Sequence, residues 1–240
     1  MSVIQYVEHV IEALFLDYHK KIHVMMKTVA LGLALLDFSF TAYAQGGDTG
    51  KYQEGVHYAL IEGAPVRSSD TMVLEEAFSY LCTHCNTFDP YVESWKKRKP
   101  EFVEFRRIPV GFGRGSWELY ARGYVTAKMM NVSDEAHLAL MDRIWNEKNI
   151  IRNMDELATF YSEFGLDKEK FLSTSKSFAV DSKLRKDQQL VQAYGIRGTP
   201  ALVLNGKYRI SGNAAVASYD AMFDVVDYLI AQEAASMQQA

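Results

Sequence analysis

Apolar positions along this chain recur first at alternating and then at helical spacing, and the changes of period predict its elements. Val56 to Ile61 alternates well enough for a strand, ended by Gly63-Ala64-Pro65. Met72 to Tyr80 is aromatic and β-prone, interrupted only by Glu75 and Glu76, and reads as the central strand. From Cys82 to about Lys99 the period becomes helical, with Phe88, Tyr91, Val92 and Trp95 three and four residues apart. Pro90 is expected to kink that helix and Pro100 to stop it. Phe102 to Val110 is a further strand, and a right-handed crossover would set it parallel to the first. Ser116 to Tyr194 is helical almost throughout, in five segments: Trp117 to Met130, Asp134 to Asn146, Met154 to Phe164, Asp167 to Leu172 and Ser177 to Tyr194. Ser133 and Asn153 read as N-caps, and Gly165 and Gly195 as stops. Ala201 to Leu204 and Lys207 to Ile210 flank Asn205-Gly206, a strong hairpin signal. A last helix runs from Ser218 to about Gln232, with a frayed tail from Glu233. The order is β-β-α-β, a helical insert, then β-β-α: a small mixed sheet, helices on both faces, and an all-helical block in the middle.

Composition narrows the class without naming a function. The 240 residues are 48% hydrophobic and 23% charged, enough to bury a core, and the net charge of −4 argues against an electrostatically driven nucleic-acid binder. Lys96-Lys97-Arg98-Lys99 reads as the solvated end of a helix, where cations complement the dipole. Near the N-terminus, Lys20, Lys21 and Lys27 precede an apolar run from Val29 to Leu36, then Ala42-Tyr43-Ala44, an A-x-A cleavage pattern that makes Gln45 the mature start. Asp37 interrupts the run, which is short for a membrane span. Residues 1–24 carry Val3, Val7, Val10, Ile11 and Leu14 on one helical face; Met25 or Met26 reads as the start, the other reading being a membrane-surface helix.

The chemistry rests on the chain's two cysteines, Cys82 and Cys85, in Cys82-Thr83-His84-Cys85 directly after the central strand. A helix N-terminus offers unpaired N–H groups and a positive dipole end, and so favours a thiolate at Cys82; His84 can add a hydrogen bond or a charge. Half a zinc site is one alternative, but there is no second cysteine pair and no histidine spacing downstream to complete it. An inert disulfide is another, yet so short a loop removes little chain entropy. A redox-active dithiol is the reading these residues favour, and an exported chain with only this pair can cycle it without internal reshuffling. Trp117, Tyr120 and Tyr124, at helical spacing, read as core, although an apolar binding surface there would suit a redox-silent peptide-binding or chaperone-like module.

The Cys82-Thr83-His84-Cys85 helix start, the helical block and Gly195-Ile196-Arg197-Gly198-Thr199-Pro200-Ala201 before a hairpin together resemble the DsbA-like thiol:disulfide oxidoreductases of the thioredoxin superfamily, from about Tyr52 to Ile230. The resemblance implies a thioredoxin fold in two parts, residues 45–112 and 194–232, around a helical insertion at 113–193, with a leader over 1–44 and a tail over 233–240. It implies that Cys82 exchanges with substrate, that Cys85 is the buried resolving partner, and that Pro200 is a cis-proline beside which Thr199 and Thr83 meet an extended substrate peptide. It further implies that Glu76 is a buried acid handling the Cys85 proton, with neighbouring Glu75 the competing candidate. The activity implied is a periplasmic dithiol oxidase with no cofactor beyond the Cys82–Cys85 disulfide and no metal. It would act on reduced exported proteins and be reoxidised by a quinone-linked, DsbB-like inner-membrane partner. The best-known oxidases carry Pro-His between the cysteines and Val before the cis-proline. Thr83 and Thr199 depart from that pattern, and Thr before the cis-proline also resembles the periplasmic isomerases, leaving an isomerase or reductase as the alternative.

Overall fold

In the computed structural model, residues 50–63 and 71–237 are described. The cleavage pattern after Ala44, the leader, Ala64-Pro65 and the last three residues of the tail lie outside them.

A five-stranded sheet carries the chain, with β1 (Ala59–Leu60), β2 (Met72–Phe78), β3 (Val103–Pro109), β4 (Ala201–Leu204) and β5 (Tyr208–Ser211) in the order β1-β5-β4-β2-β3. β2 runs parallel to β3 and antiparallel to β4, and β4 and β5 form the hairpin. Asn205 and Gly206 both take positive φ, 54° and 70°, the backbone a tight two-residue turn requires. Seven helices are described: α1 (Thr83–Arg98), α2 (Gly115–Met129), α3 (Asp134–Trp145), α4 (Met154–Ser162), α5 (Lys168–Ser175), α6 (Phe178–Ala193) and α7 (Tyr219–Met237). The arrangement is a thioredoxin fold with helices α2 to α6 inserted between β3 and β4.

The two-residue period of β2 decides where its side chains go, because successive residues face opposite sides of the sheet. Met72 and Leu74 join Phe88, Val92 and Trp95 of α1 and Phe223 and Val226 of α7 in one buried cluster. Ala77 faces the other side, with Val191 and Tyr194 at the end of α6. All seven residues of β2 are buried, the two glutamates included. Each fully buried large apolar side chain contributes about 1.5–3 kcal/mol, so these two faces anchor the strand that leads into Cys82. The insert has its own cluster, built on Tyr120, Leu140, Leu157, Phe160 and Phe171, into which Phe78, Tyr80 and both cysteines also pack. The indole N–H of Trp145 donates to the Tyr80 carbonyl at 2.8 Å, tying α3 to the end of the central strand.

Several elements differ from expectation for local reasons. Only Ala59 and Leu60 of the first strand pair, with Arg209 and Tyr208; Val56 is exposed and outside the ladder. Asn153 caps α4 by accepting from the Glu156 N–H, whereas Ser133 makes no such bond to α3. Helix α1 runs unbroken through Pro90, α5 continues to Ser175, and α7 extends five residues past Gln232, its Ser236 hydroxyl donating to the Glu233 carbonyl. The basic run at the end of α1 is not simply solvated: Lys96 pairs with Glu93 and Asp134, and Arg98 with Asp227. Tyr120 is core, with Trp117 and Tyr124 packed partly buried around it.

Candidate active site

Cys82 is the N-cap of α1, with an extended backbone (φ −93°, ψ 114°) that turns the chain from β2 into the helix. Its sulfur takes the place usually held by a serine or aspartate oxygen and accepts the Cys85 N–H at 3.4 Å. As a thiol it donates to the Thr199 carbonyl at 3.4 Å, across the sheet from the loop that enters β4. The Thr199–Pro200 peptide bond is cis. Both cysteines are free; Cys82 keeps 7% of its surface exposed and Cys85 none.

The two sulfurs are driven in opposite directions. A hydrogen bond from the Cys85 side chain, then, against the opposing effect of burial, bonds from the Thr199 side chain and from the N–H groups of Cys85 and His84, lower Cys82 to about 5. Burial, the hydrogen bond to Cys82 and the nearby Glu76 carboxyl push Cys85 far above the ordinary thiol range. At neutral pH the reduced pair therefore holds one thiolate, at Cys82, and one proton, at Cys85.

His84 and Thr83 are exposed on the first turn of α1. The His84 ring is engaged elsewhere than at the sulfur: its Nδ1 lies 3.3 Å from the Tyr219 hydroxyl at the start of α7, and it is the backbone N–H of His84 that supports Cys82. His84, Thr199, Pro200 and Tyr219 line a groove of about 770 Å³ beside Cys82.

Beneath Cys85 lies a buried polar cluster. Glu76 shares a face of β2 with Leu74 and Phe78, toward α1, whereas Glu75 faces α6 and accepts the Tyr194 hydroxyl at 2.7 Å. Glu76 sits directly opposite Arg107 in the parallel register and accepts its Nε–H at 3.0 Å. The same guanidinium donates to Asp89 at 2.7 Å and to Glu93 at 3.2 Å. Burial first, with the Asp89 and Glu93 charges adding, outweighs Arg107 and lifts Glu76 to about 7. His137 of α3 closes the cluster, its Nε2 3.2 Å from Asp89 and its Nδ1 3.0 Å from the Tyr80 hydroxyl. Burial, then the charge of Arg107, lowers His137 to about 4, so the ring is neutral at neutral pH. A carboxylate can only accept, which puts the ring proton on Nε2 and leaves Nδ1 to accept from Tyr80.

A sequence profile of the DSBA-like thioredoxin domain matches residues 73–223, a span that includes all but the first residue of β2, both cysteines, the insert and Pro200. The chain belongs to the DsbA-like thioredoxin family. It is 34% identical over 216 residues to the thiol:disulfide interchange protein DsbA of Pseudomonas aeruginosa, covering 90% of this chain and 99% of that one. A thiol:disulfide interchange protein DsbA from Azotobacter vinelandii is 37% identical over 169 residues, covering 70% and 78%. The crystal structure of Pseudomonas aeruginosa DsbA matches with a TM-score of 0.71 at 33% identity, over 78% of this chain and 97% of that one. The oxidoreductase DsbA from Xylella fastidiosa matches with 0.69 at 28%, over 75% and 96%. This DsbA-like chain is accordingly a thiol:disulfide oxidoreductase, a protein dithiol oxidase.

Sequence reasoning about this DsbA-like site missed Arg107, Asp89, His137 and Tyr219. Asp89 carried a signal: it falls one helical turn after Cys85, on the stripe formed by Cys85, Phe88 and Val92, where a carboxylate needs a partner. Arg107 carried one too: by strand alternation it shares a face with Val103 and Phe105, whereas the other charged residues of β3, Glu104 and Arg106, fall at exposed positions. Nothing local announces His137 or Tyr219, which reach the site from other helices. Among the described residues no group of His, Cys, Asp and Glu side chains could hold a metal ion.

Proposed function

We propose that this oxidase works through the Cys82–Cys85 disulfide, with Cys82 as the sulfur that meets substrate. A substrate thiolate attacks Cys82 Sγ of the oxidised pair, the Cys82–Cys85 bond breaks, and the electron pair leaves on Cys85, which takes up a proton. A second substrate thiolate then attacks the substrate sulfur of the mixed disulfide and expels Cys82 as its thiolate. Two electrons pass from substrate to enzyme, one disulfide forms in the substrate, and the pair is left as the free dithiol. Glu76 is the group that delivers and removes the Cys85 proton, since its carboxyl titrates near neutrality under that sulfur. Thr199 and Pro200, with Thr83 at the rim, hold the substrate backbone beside Cys82. His84 helps present the first turn of α1, held through Tyr219.

The observation that carries this reading is the split between the sulfurs: a Cys82 thiolate stabilised to about 5 makes Cys82 a good leaving group and the reduced form the comfortable one, which is what a disulfide donor needs. The substrates are reduced exported proteins. The chain is itself exported, with cleavage after Ala44, and is reoxidised by a quinone-linked, DsbB-like membrane partner. Among the described residues no helix is long and apolar enough to cross a membrane. Equilibrating residues 45–240 with a glutathione series, read by Trp fluorescence and thiol alkylation, tests the direction. A couple more oxidising than glutathione is expected; one near thioredoxin, roughly −270 mV, would make the protein a reductase. N-terminal sequencing of the protein recovered from the periplasm tests the cleavage.

A further inference from the structure

The groove beside Cys82 is cationic on a chain whose net charge is −4. Arg197 and Arg209 line it together with His84, and no carboxylate among the described residues does. Arg209 is held in place: its Nη1 donates to the carbonyls of Tyr194 at 2.6 Å and Gly195 at 2.9 Å, the residues that open the loop leading to Pro200. Both partners are uncharged, so its positive charge is not cancelled. Arg197 is exposed on that loop, between buried Ile196 and Gly198, and makes no ion pair or hydrogen bond among the described residues. Other arginines of this surface are paired with carboxylates, Arg98 with Asp227, Arg106 with Glu104 and Arg143 with Glu163, or lie over aromatic rings, Arg114 over Trp117 and Arg185 over Phe178. Two unpaired guanidiniums flanking the place where a substrate peptide would lie are a recognition element, since the planar fork of arginine matches a carboxylate.

We infer that the groove selects substrate cysteines carried on acidic peptide segments, with Arg197 and Arg209 receiving carboxylates near the reacting cysteine. This rests on the reading that Cys82 exchanges with substrate, and the test separates the two. The oxidised protein is mixed, by stopped flow, with reduced peptides identical in length and bearing one cysteine pair flanked by two Glu, two Gln or two Lys residues. Dithiothreitol serves as an uncharged dithiol. At low salt the Glu peptide is expected to react roughly tenfold faster than the Gln peptide and the Lys peptide more slowly still, with the spread collapsing at high salt as the charges are screened. In Arg197→Glu the ratio of Glu-peptide to Lys-peptide rates, which cancels any general loss of activity, is expected to fall at least tenfold. Equal rates for the three peptides at low salt, or an unchanged ratio in Arg197→Glu, overturn the inference while leaving the oxidase intact. Failure to oxidise dithiothreitol would instead remove the exchange at Cys82, and with it the groove's role.

Discussion

The Cys82 thiolate owes most to one neighbour, and replacing that neighbour gives a sharp test. The hydrogen bond from the Cys85 thiol is the largest influence lowering Cys82 to about 5. Cys85→Ser keeps a donor at that place; Cys85→Ala removes it and leaves the backbone N–H groups of His84 and Cys85 and the Thr199 bond. A hydrogen bond to a charged group is worth about 1.5–3 kcal/mol, so the Ala variant's Cys82 titration should move up by roughly one to two pH units relative to Ser. Either variant leaves one thiol in the chain, so thiolate absorbance near 240 nm reports Cys82 alone. In the wild-type dithiol, where Cys85 keeps its proton, the same titration should have its midpoint at about 5. The consequence for function follows by linkage. At pH 7 a thiol lowered from 9.0 to about 5 is almost fully ionised instead of about one part in a hundred, which favours the reduced form by roughly 3 kcal/mol. For a two-electron couple that makes the disulfide about 60 mV more oxidising than an unperturbed pair in the same fold. Coincident midpoints for Cys85→Ala and Cys85→Ser, or a wild-type midpoint above 8, would refute the account of both the thiolate and the direction of transfer.

Other perturbations probe the buried cluster and the scaffold. Glu76 is raised from 4.5 to about 7, so the folded state holds a proton that the unfolded chain has released between those values. Stability therefore falls as pH rises through that window, by on the order of 3 kcal/mol from this group, and Glu76→Gln should flatten the urea-unfolding free energy between pH 4.5 and 8; parallel curves would count against it. Arg107→Met strands Glu76 and Asp89 together without a buried cation and should cost about 3–5 kcal/mol at pH 8 but less at pH 5, where Glu76 is protonated, as read by urea denaturation at the two pH values. Gly206→Val forces a β-branched residue to φ 70° in the β4–β5 turn, and a loss of about 1–2 kcal/mol is expected in thermal unfolding monitored by circular dichroism.

The elements that period and turn chemistry specify are the ones legible in the chain itself. Asn205-Gly206 fixed the hairpin because only a few residue pairs tolerate consecutive left-handed backbone, and the switch from alternation to helical spacing at Cys82 located the start of α1 within one residue. What stayed illegible was settled by partners distant in sequence. Val56 alternates properly but has no strand beside it, and Ser133 has the right chemistry for a cap without the geometry. The choice between Glu75 and Glu76 illustrates the limit well: alternation says that they face opposite ways, but which face carries α1 is a fact of packing. Once Leu74 and Phe78 are seen among α1 and the insert, Glu76 follows. The same is true of His84, whose place in the motif suggests a bond to sulfur but whose ring turns to Tyr219, from a helix far along the chain.

The insert is more than a lid over a thioredoxin core. Three carboxylates, Glu76, Asp89 and Glu93, converge on the single guanidinium of Arg107, and the second side chain holding Asp89 in place is His137, delivered by α3. A neutral imidazole suits that position because it donates to Asp89 without adding a second positive charge beside Arg107, which would pull Glu76 back toward an ordinary carboxylate. Its other nitrogen takes the Tyr80 hydroxyl, and Tyr80 is in turn bound through its carbonyl by Trp145 of the same helix. The segment between β2 and Cys82 is thus gripped from the insert at the same points that hold the acid cluster. Cys82 is tuned by the Cys85 thiol, the local backbone and Thr199, whereas the environment of Cys85 depends on side chains from β2, β3, α1 and α3. Dividing the two sulfurs between these environments lets the fold hold one as an anion near the surface and the other as a protonated thiol over a titratable acid.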